Sequence, residues 1–123
     1  MKDRNWYKDK NILVVGMGRS GVATLEVLHQ LGSKVFIQDE KTFDKLSEDV
    51  KIQIEGKYEK GYFGEEIQNL EEFDLTVVSP GVPMDNSIIQ KLDDKGISVI
   101  GELELAYRLA NGKFIGITGT NGK

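Results

Sequence analysis

The chain has 123 residues, no cysteine and a formal net charge of −4 at pH 7. A chain of this length is the size of one ordinary domain, and the lack of cysteine excludes disulfides, thiol nucleophiles and cysteine metal sites. Because acidic and basic residues are interleaved and no apolar run approaches the roughly 20 residues that cross a bilayer, we expect neither nucleic acid nor membrane as a partner.

The amino-terminal stretch 1–8 is charged and aromatic, and no apolar signal-peptide segment follows it. This pattern predicts a cytoplasmic protein. Trp6 and Tyr7 precede the first apolar run, and we expect them to pack as an aromatic anchor at the edge of the domain.

The first apolar run, Asn11–Val15, predicts a buried strand that stops at a turn with glycine at its first, third and sixth positions. A helical pattern follows. Such a turn is typical of a phosphate-binding site, because the free N–H groups that open the helix face the anion. Gly16 would allow the tight turn, Gly18 the approach of a phosphate, and Gly21 the close packing of helix on strand. A tight structural turn without a ligand is the alternative.

The second apolar run, Lys34–Asp39, predicts another buried strand, which ends in an acid. Asp39 lies about 20 residues beyond the glycine turn, where a Rossmann domain places the carboxylate that binds a ribose. An acid at a strand end is often only a helix cap or a turn residue, and this alternative stays open. The single histidine, His29, has no second ligand in view, so we expect no metal site.

The stretch 41–69 has a weaker pattern. We predict a short helix at 42–49, a short strand at 50–54, and turns at Gly56, Gly61 and Gly64. The aromatic pair at 62–63 is expected to cover one end of the sheet.

The rest of the chain alternates strand and helix patterns. Apolar runs predict strands at 73–79, 97–100 and 113–118, and helical spacing predicts helices after a cap at 85–87 and at 102–110. In the last helix, Leu103, Ala106 and Leu109 are expected to share one face. Two prolines exclude regular structure from the loop 80–83.

This alternation predicts an α/β fold, with a Rossmann-like, mostly parallel sheet and helices on both faces. Ligands of such sheets bind beyond the carboxyl ends of the strands. The glycine turn 16–21, Asp39 and the segment 79–81 each follow a different strand. We therefore expect all three to meet at one edge of the sheet.

The last five residues resemble the end of a phosphate-binding P-loop, in which backbone N–H groups and a lysine hold nucleotide phosphates. Ile117 stands where the strict pattern has its first glycine, and the sequence stops before the serine or threonine that would hold magnesium. We expect residues 1–111 to form an amino-terminal domain and 112–123 to be the first strand and truncated P-loop of the next. A tail that contains two glycines by chance is the alternative.

With these motifs in view, the chain resembles the amino-terminal part of a Mur ligase. The resemblance depends on the turn 16–21, the segment 78–83 and the terminal segment 117–123. The terminal segment is shared by Mur ligases and folylpolyglutamate synthases, whereas the first two motifs point to the D-glutamate-adding branch.

The resemblance implies a three-domain enzyme of peptidoglycan synthesis that uses ATP and Mg²⁺. ATP would convert the carboxylate of UDP-N-acetylmuramoyl-L-alanine into an acyl phosphate, which the amine of D-glutamate would attack. The resemblance places the UDP of that substrate on the amino-terminal domain. No catalytic residue is expected in this chain, which should bind without catalysing, and we expect a monomer.

The resemblance also implies roles for individual residues. The UDP diphosphate would contact Gly18, Arg19 and Ser20. The uracil ring would donate to Asp39, and this pocket would be bordered by Glu40 and Lys41, although the family often has threonine or serine in place of Glu40. The path of the sugar diphosphate would be lined by Ser79, Pro80 and Gly81. ATP would bind Gly119, Thr120, Asn121, Gly122 and Lys123.

Two other interpretations explain part of the sequence. An NAD-binding Rossmann domain of a dehydrogenase or sensor would account for the glycine turn and Asp39, but not for the terminal GTNGK. A non-enzymatic interaction module would be favoured if no nucleotide bound.

Overall fold

The computed structural model of the chain describes residues 4–82 and 87–110. Within them, five strands form one sheet in the order β3-β2-β1-β4-β5, and every neighbouring pair is parallel. The strands are β1 Asn11–Val15, β2 Lys34–Asp39, β3 Lys60–Phe63, β4 Leu75–Val78 and β5 Val99–Gly101. The helices are α1 Arg19–Gln30, α2 Glu48–Ile54, α3 Ser87–Asp94 and α4 Glu102–Ala110. No helix among these residues is long and apolar enough to span a bilayer.

Helices cover both faces of the sheet, as the alternation of elements predicts. One apolar core joins α1, α2 and α4 to one face, and the other face packs on α3 and on a 3₁₀ turn at Leu70–Glu72. Successive residues of β1 therefore alternate between the two cores, with Ile12 and Val14 in the first and Leu13 and Val15 in the second. The α/β, Rossmann-like prediction is confirmed. The predicted strand 113–118 and the positions 85–86 of the predicted cap lie outside the described residues.

The predicted strand at 50–54 is wrong, because these residues belong to α2. The predicted helix at 42–49 is only a 3₁₀ turn at Phe43–Lys45 followed by the start of α2. Ser47 caps α2 by accepting the N–H of Val50 at 3.3 Å, and two acidic residues occupy the first turn. Alternating apolar residues resemble a strand, but these capping interactions favour a helix.

The strand that the sequence did not reveal is β3. Its second residue is Gly61, which the pattern predicts to be a turn. A Cβ at this position would overlap the ring of Phe63, which lies back along the same face of the strand. Gly61 therefore leaves room for the Phe63 ring, and Phe63 and Tyr62 belong to the edge strand itself.

Of the three residues predicted to share one apolar face of α4, only Leu109 is buried. Leu105 and Leu109 face the core, whereas Leu103 is 74% exposed and Ala106 is exposed. Helix α4 begins directly after β5, so the sheet sets its orientation. Because apolar residues lie on two sides of this helix, spacing alone does not distinguish the buried side.

Tyr7 is fully buried in the first core, and its ring meets that of Trp6 edge to face at 5.0 Å. The predicted aromatic anchor is therefore part of the core. The hydroxyl of Tyr7 is buried and has no hydrogen-bond partner in the described part of the chain.

We expect Tyr7→Phe to leave the free energy of unfolding unchanged or to raise it by about 1 kcal/mol, because it removes a buried hydroxyl without a partner. Ser33→Ala is the matched control, since the Ser33 hydroxyl donates to the carbonyl of Tyr7 at 2.6 Å. Removing this satisfied hydroxyl should cost about 1 kcal/mol. Urea unfolding measures both changes, and an equal loss for the two variants would contradict the expectation.

Candidate functional site

The site lies where the strand order reverses. From β1 the chain passes through α1 to β2 on one side, while β4 pairs with β1 on the other. The loops after β1 and β4 therefore diverge and leave a crevice, which is where parallel sheets of this kind bind ligands. A cavity of about 410 Å³ occupies this position. Its volume is within the range of small-molecule sites.

All nine predicted UDP contacts line this cavity. They lie at or just beyond the carboxyl ends of three strands: Gly18, Arg19 and Ser20 after β1, Asp39, Glu40 and Lys41 at the end of β2, and Ser79, Pro80 and Gly81 after β4. The predicted convergence at one edge is therefore observed, and the roles of these residues as ligand contacts stay predictions. The predicted ATP contacts at 119–123 lie outside the described residues.

The glycine turn depends on two glycines that have no room for a side chain. Gly16 has φ +94°, and its N–H donates to the carbonyl of Gln38 at 2.8 Å. A Cβ at Gly16 would lie 2.8 Å from Cγ2 of Val82, and one at Gly21 would overlap the carbonyl oxygen of Gly16. Helix α1 can start this close to β1 only because both side chains are missing.

Gly18 is different, because a Cβ there would meet no atom within 4 Å. It is the N-cap residue of α1, and no side chain caps the helix. No acidic residue lies in the first turn, where Arg19 and Ser20 are exposed. Uncapped N–H groups and the positive end of the helix dipole favour an anion at this position.

Asp39 joins the glycine turn to the loop after β2. Its Oδ2 accepts the N–H of Met17 at 2.7 Å, and its Oδ1 accepts the N–H of Lys41 at 2.8 Å. Asp39 therefore stabilises both turns, and its role as a ligand contact stays a prediction. Each carboxylate oxygen keeps acceptor capacity beyond one hydrogen bond, so a ligand donor can still bind it.

The loop after β4 is held against the glycine turn. The N–H of Ser79 donates to the carbonyl of Val15 at 3.0 Å. The N–H of Val82 donates to the carbonyl of Ser79, also at 3.0 Å. The Ser79 hydroxyl lies 2.9 Å from the carbonyl oxygen of Gly16 and 3.1 Å from Oε2 of Glu102. This junction unites residues that follow β1, β4 and β5.

Four residues of this region were not predicted as ligand contacts. Three line the cavity, namely Met17, Gln38 and Val82, and the fourth is Glu102 at the start of α4. Glu102 could have been found by the rule that found Asp39, because it lies two residues after the predicted strand 97–100. Met17 has no such signal, since it contributes a backbone N–H. No group of histidine and acidic residues suited to a metal ion occurs within 4–82 and 87–110.

The parallel sheet, the glycine turn and the crevice define a Rossmann-like domain with a candidate anion-binding site. Residues 10–101 match the family described as "Mur ligase MurD-like, N-terminal domain". The chain belongs to this family.

Its relatives include UDP-N-acetylmuramoylalanine--D-glutamate ligases. The enzyme of Alkaliphilus metalliredigens is 45% identical over 94% of this chain and 26% of its own length. That of Geobacillus sp. WCH70 is 38% identical over 100% of this chain and 27% of its own. The chain thus spans about a quarter of the length of these relatives.

A solved structure of shikimate dehydrogenase from Aquifex aeolicus aligns with 81% of this chain and 45% of its own, at 18% identity and a TM-score of 0.46. A likeness this distant says nothing about function.

Proposed function

We propose that the chain is the substrate-binding, amino-terminal domain of a cytoplasmic ATP-dependent ligase that adds D-glutamate to UDP-N-acetylmuramoyl-L-alanine in peptidoglycan synthesis. The observation that carries the proposal is the cavity at the strand-order reversal, which all nine predicted UDP contacts line. Membership of the MurD-like family and the names of the relatives support it. Residues 1–111 form this domain, and 112–123 begin the ATP-binding domain.

The diphosphate would lie at the start of α1. Gly18 leaves the backbone open there, and the uncapped N–H groups of the first turn supply donors. Arg19 and Lys41 line the same cavity and add positive charge, which strengthens hydrogen bonds to phosphate oxygens.

The uracil ring would lie beside Asp39. Two backbone hydrogen bonds hold this carboxylate at the cavity wall. Its remaining lone pairs would accept a hydrogen bond from an N–H of the base. Glu40 and Lys41 border this end, and Ser79, Pro80 and Gly81 line the path of the sugar diphosphate. A side chain already fixed by protein groups loses little entropy when the ligand binds.

In the whole protein, the substrate carboxylate would attack the γ-phosphorus of ATP and release ADP, leaving an acyl phosphate. The amine of D-glutamate would then attack the acyl carbon, and inorganic phosphate would leave as the amide forms. Gly119, Thr120, Asn121, Gly122 and Lys123 would hold the ATP phosphates, and Mg²⁺ would neutralise their charge. The part played by residues 1–111 is to bind and orient the UDP end, so this chain alone should not catalyse.

Separate titrations with UDP, NAD and ATP test the proposal, each followed by amide chemical shifts and calorimetry. We expect UDP to shift the amides of Gly18, Arg19, Ser20 and Asp39, with weaker binding than in a full-length ligase because two domains contribute no contacts. If NAD shifts these amides and UDP does not, the cavity belongs to a dinucleotide-binding protein. If no nucleotide binds, the interaction-module interpretation replaces both.

A further inference from the structure

The face of the sheet on which α4 lies decides where the chain can go after it. Helices α1 and α2, which lead the chain outward to β3, pack in the first core, whereas α3, which leads it outward to β5, packs in the second. Crossovers in opposite directions on opposite faces have the same hand, which in parallel sheets is almost always right-handed. Helix α4 packs in the first core, through Leu105 and Leu109. A right-handed crossover from α4 therefore leads back over β4 and not outward beyond β5.

The described sheet has no open place in that direction within reach of α4. Strands β4, β1 and β2 have neighbours on both sides, so the first free place is the outer side of β3. That place lies five strand spacings from β5, about 24 Å away. Only Asn111 and Gly112 separate α4 from the predicted strand 113–118, and such a connection spans about 10 Å. The topology thus leads the chain out of this sheet after α4.

Helix α4 also has an outer face that is apolar. Leu103 is 74% exposed, the highest value for a large apolar side chain among the described residues. Ala106, one turn further along, is exposed as well, and Tyr107 beside it is 51% exposed. Residues three and four positions apart are neighbours on a helix surface, so Leu103, Ala106 and Tyr107 form one patch, the outer face of α4. Contiguous exposed apolar residues of this kind mark interaction surfaces.

We propose that the outer face of α4 is the docking surface for the domain that follows α4 in the full-length protein. The chain matches the amino-terminal domain of its family and covers about a quarter of its relatives, so most of their length follows this helix. A domain tethered two residues beyond α4 is present at a far higher effective concentration than a second copy of the chain. The inference depends on the proposed function, because it takes this domain to be the ATP-binding domain.

Docking on α4 would fix the position of the cavity relative to the next domain. The first residue of the helix, Glu102, lies beside the cavity, with its Oε2 3.1 Å from the hydroxyl of Ser79. The nine residues of α4 span about 14 Å, and the proposed ATP-binding domain begins at 112. A helix packed on both sides is a rigid spacer. The UDP end of the substrate would therefore be held in a defined orientation to ATP.

Thiol labelling tests whether the outer face of α4 is covered. The chain has no cysteine, so Leu103→Cys introduces one thiol on this face, and Ile52→Cys introduces one at the 68% exposed position on α2. Each variant is labelled with a maleimide in the 123-residue chain and in the full-length protein, and the labelled peptide is quantified by mass spectrometry. We expect the rate at 103 to be at least about tenfold lower in the full-length protein. The rate at 52 should be the same in both.

Leu103→Glu and Ile52→Glu test what the contact does. Both positions are exposed, so neither variant should change the urea midpoint or the UDP affinity of the 123-residue chain. In the full-length protein, Leu103→Glu should lower kcat about tenfold and leave the KM for the UDP substrate within about twofold, because the cavity is intact. Ile52→Glu should leave both constants unchanged. A kcat that Leu103→Glu does not alter overturns the orienting role.

Equal labelling of position 103 in both proteins overturns the docking surface. Protection already present in the 123-residue chain overturns it too: a dependence on protein concentration would then identify a second copy as the occupant, and independence would identify residues 111–123. Either result leaves the binding of UDP, and with it the proposed function, unaffected. Absence of UDP binding together with protection of 103 in the full-length protein would overturn the proposed function and leave the docking surface in place.

Discussion

Gly21→Ala should lower the free energy of unfolding by about 3 kcal/mol and abolish UDP binding. A Cβ at this position would overlap the carbonyl oxygen of Gly16 and lie 3.2 Å from the Ser79 hydroxyl. The obstacle is backbone rather than a flexible side chain, so α1 must move away from β1. Urea unfolding followed by far-ultraviolet circular dichroism measures the loss of stability.

Gly18→Ala is the matched control, three residues away in the same turn. A methyl group there meets no protein atom within 4 Å, and the backbone of Gly18 has φ −86°, which alanine adopts freely. We expect a loss of stability of about 1 kcal/mol or less, because alanine is a poorer N-cap than glycine. UDP affinity should nevertheless fall, because the methyl group occupies the approach of the diphosphate. A comparable loss of stability in both variants would contradict the contrast between close packing at Gly21 and open space at Gly18.

Asp39→Ala should weaken UDP binding about 10- to 100-fold, because a hydrogen bond to a charged group contributes about 1.5–3 kcal/mol. The substitution removes the acceptor for the uracil ring and also the two backbone hydrogen bonds from Met17 and Lys41. Calorimetric titration with UDP measures the loss.

Two controls separate these contributions. The Asp74 carboxylate accepts the backbone N–H of Asn11 at 2.9 Å, at the amino-terminal end of β1 and away from the cavity. Asp74→Ala removes this acceptor. It should cost stability and leave UDP affinity unchanged. Lys123→Ala should also leave UDP affinity nearly unchanged, since this lysine is assigned to ATP. Equal losses from Asp39→Ala and Lys123→Ala would show that the pockets are assigned wrongly.

The strand, glycine turn and helix at 11–30 could be predicted from the sequence because each depends on local properties. A buried parallel strand is a continuous apolar run, and α1 has apolar residues at helical spacing. Glycines 16 and 21 occupy positions that exclude a side chain. The rule that ligands bind at the carboxyl ends of parallel strands then brings Asp39 and the segment 79–81 to the same edge without further information.

Long-range packing decided the remaining features. Val50, Ile52 and Ile54 alternate as in a strand, yet Ile52 is 68% exposed on a helix, because capping and contacts with the first core outweigh the pattern. The buried side of α4 was chosen by its attachment to β5. The meeting of Gly16, Ser79 and Glu102 joins residues 63 and 23 positions apart. Sequence spacing does not encode such a contact, because it exists only once three strand ends lie side by side.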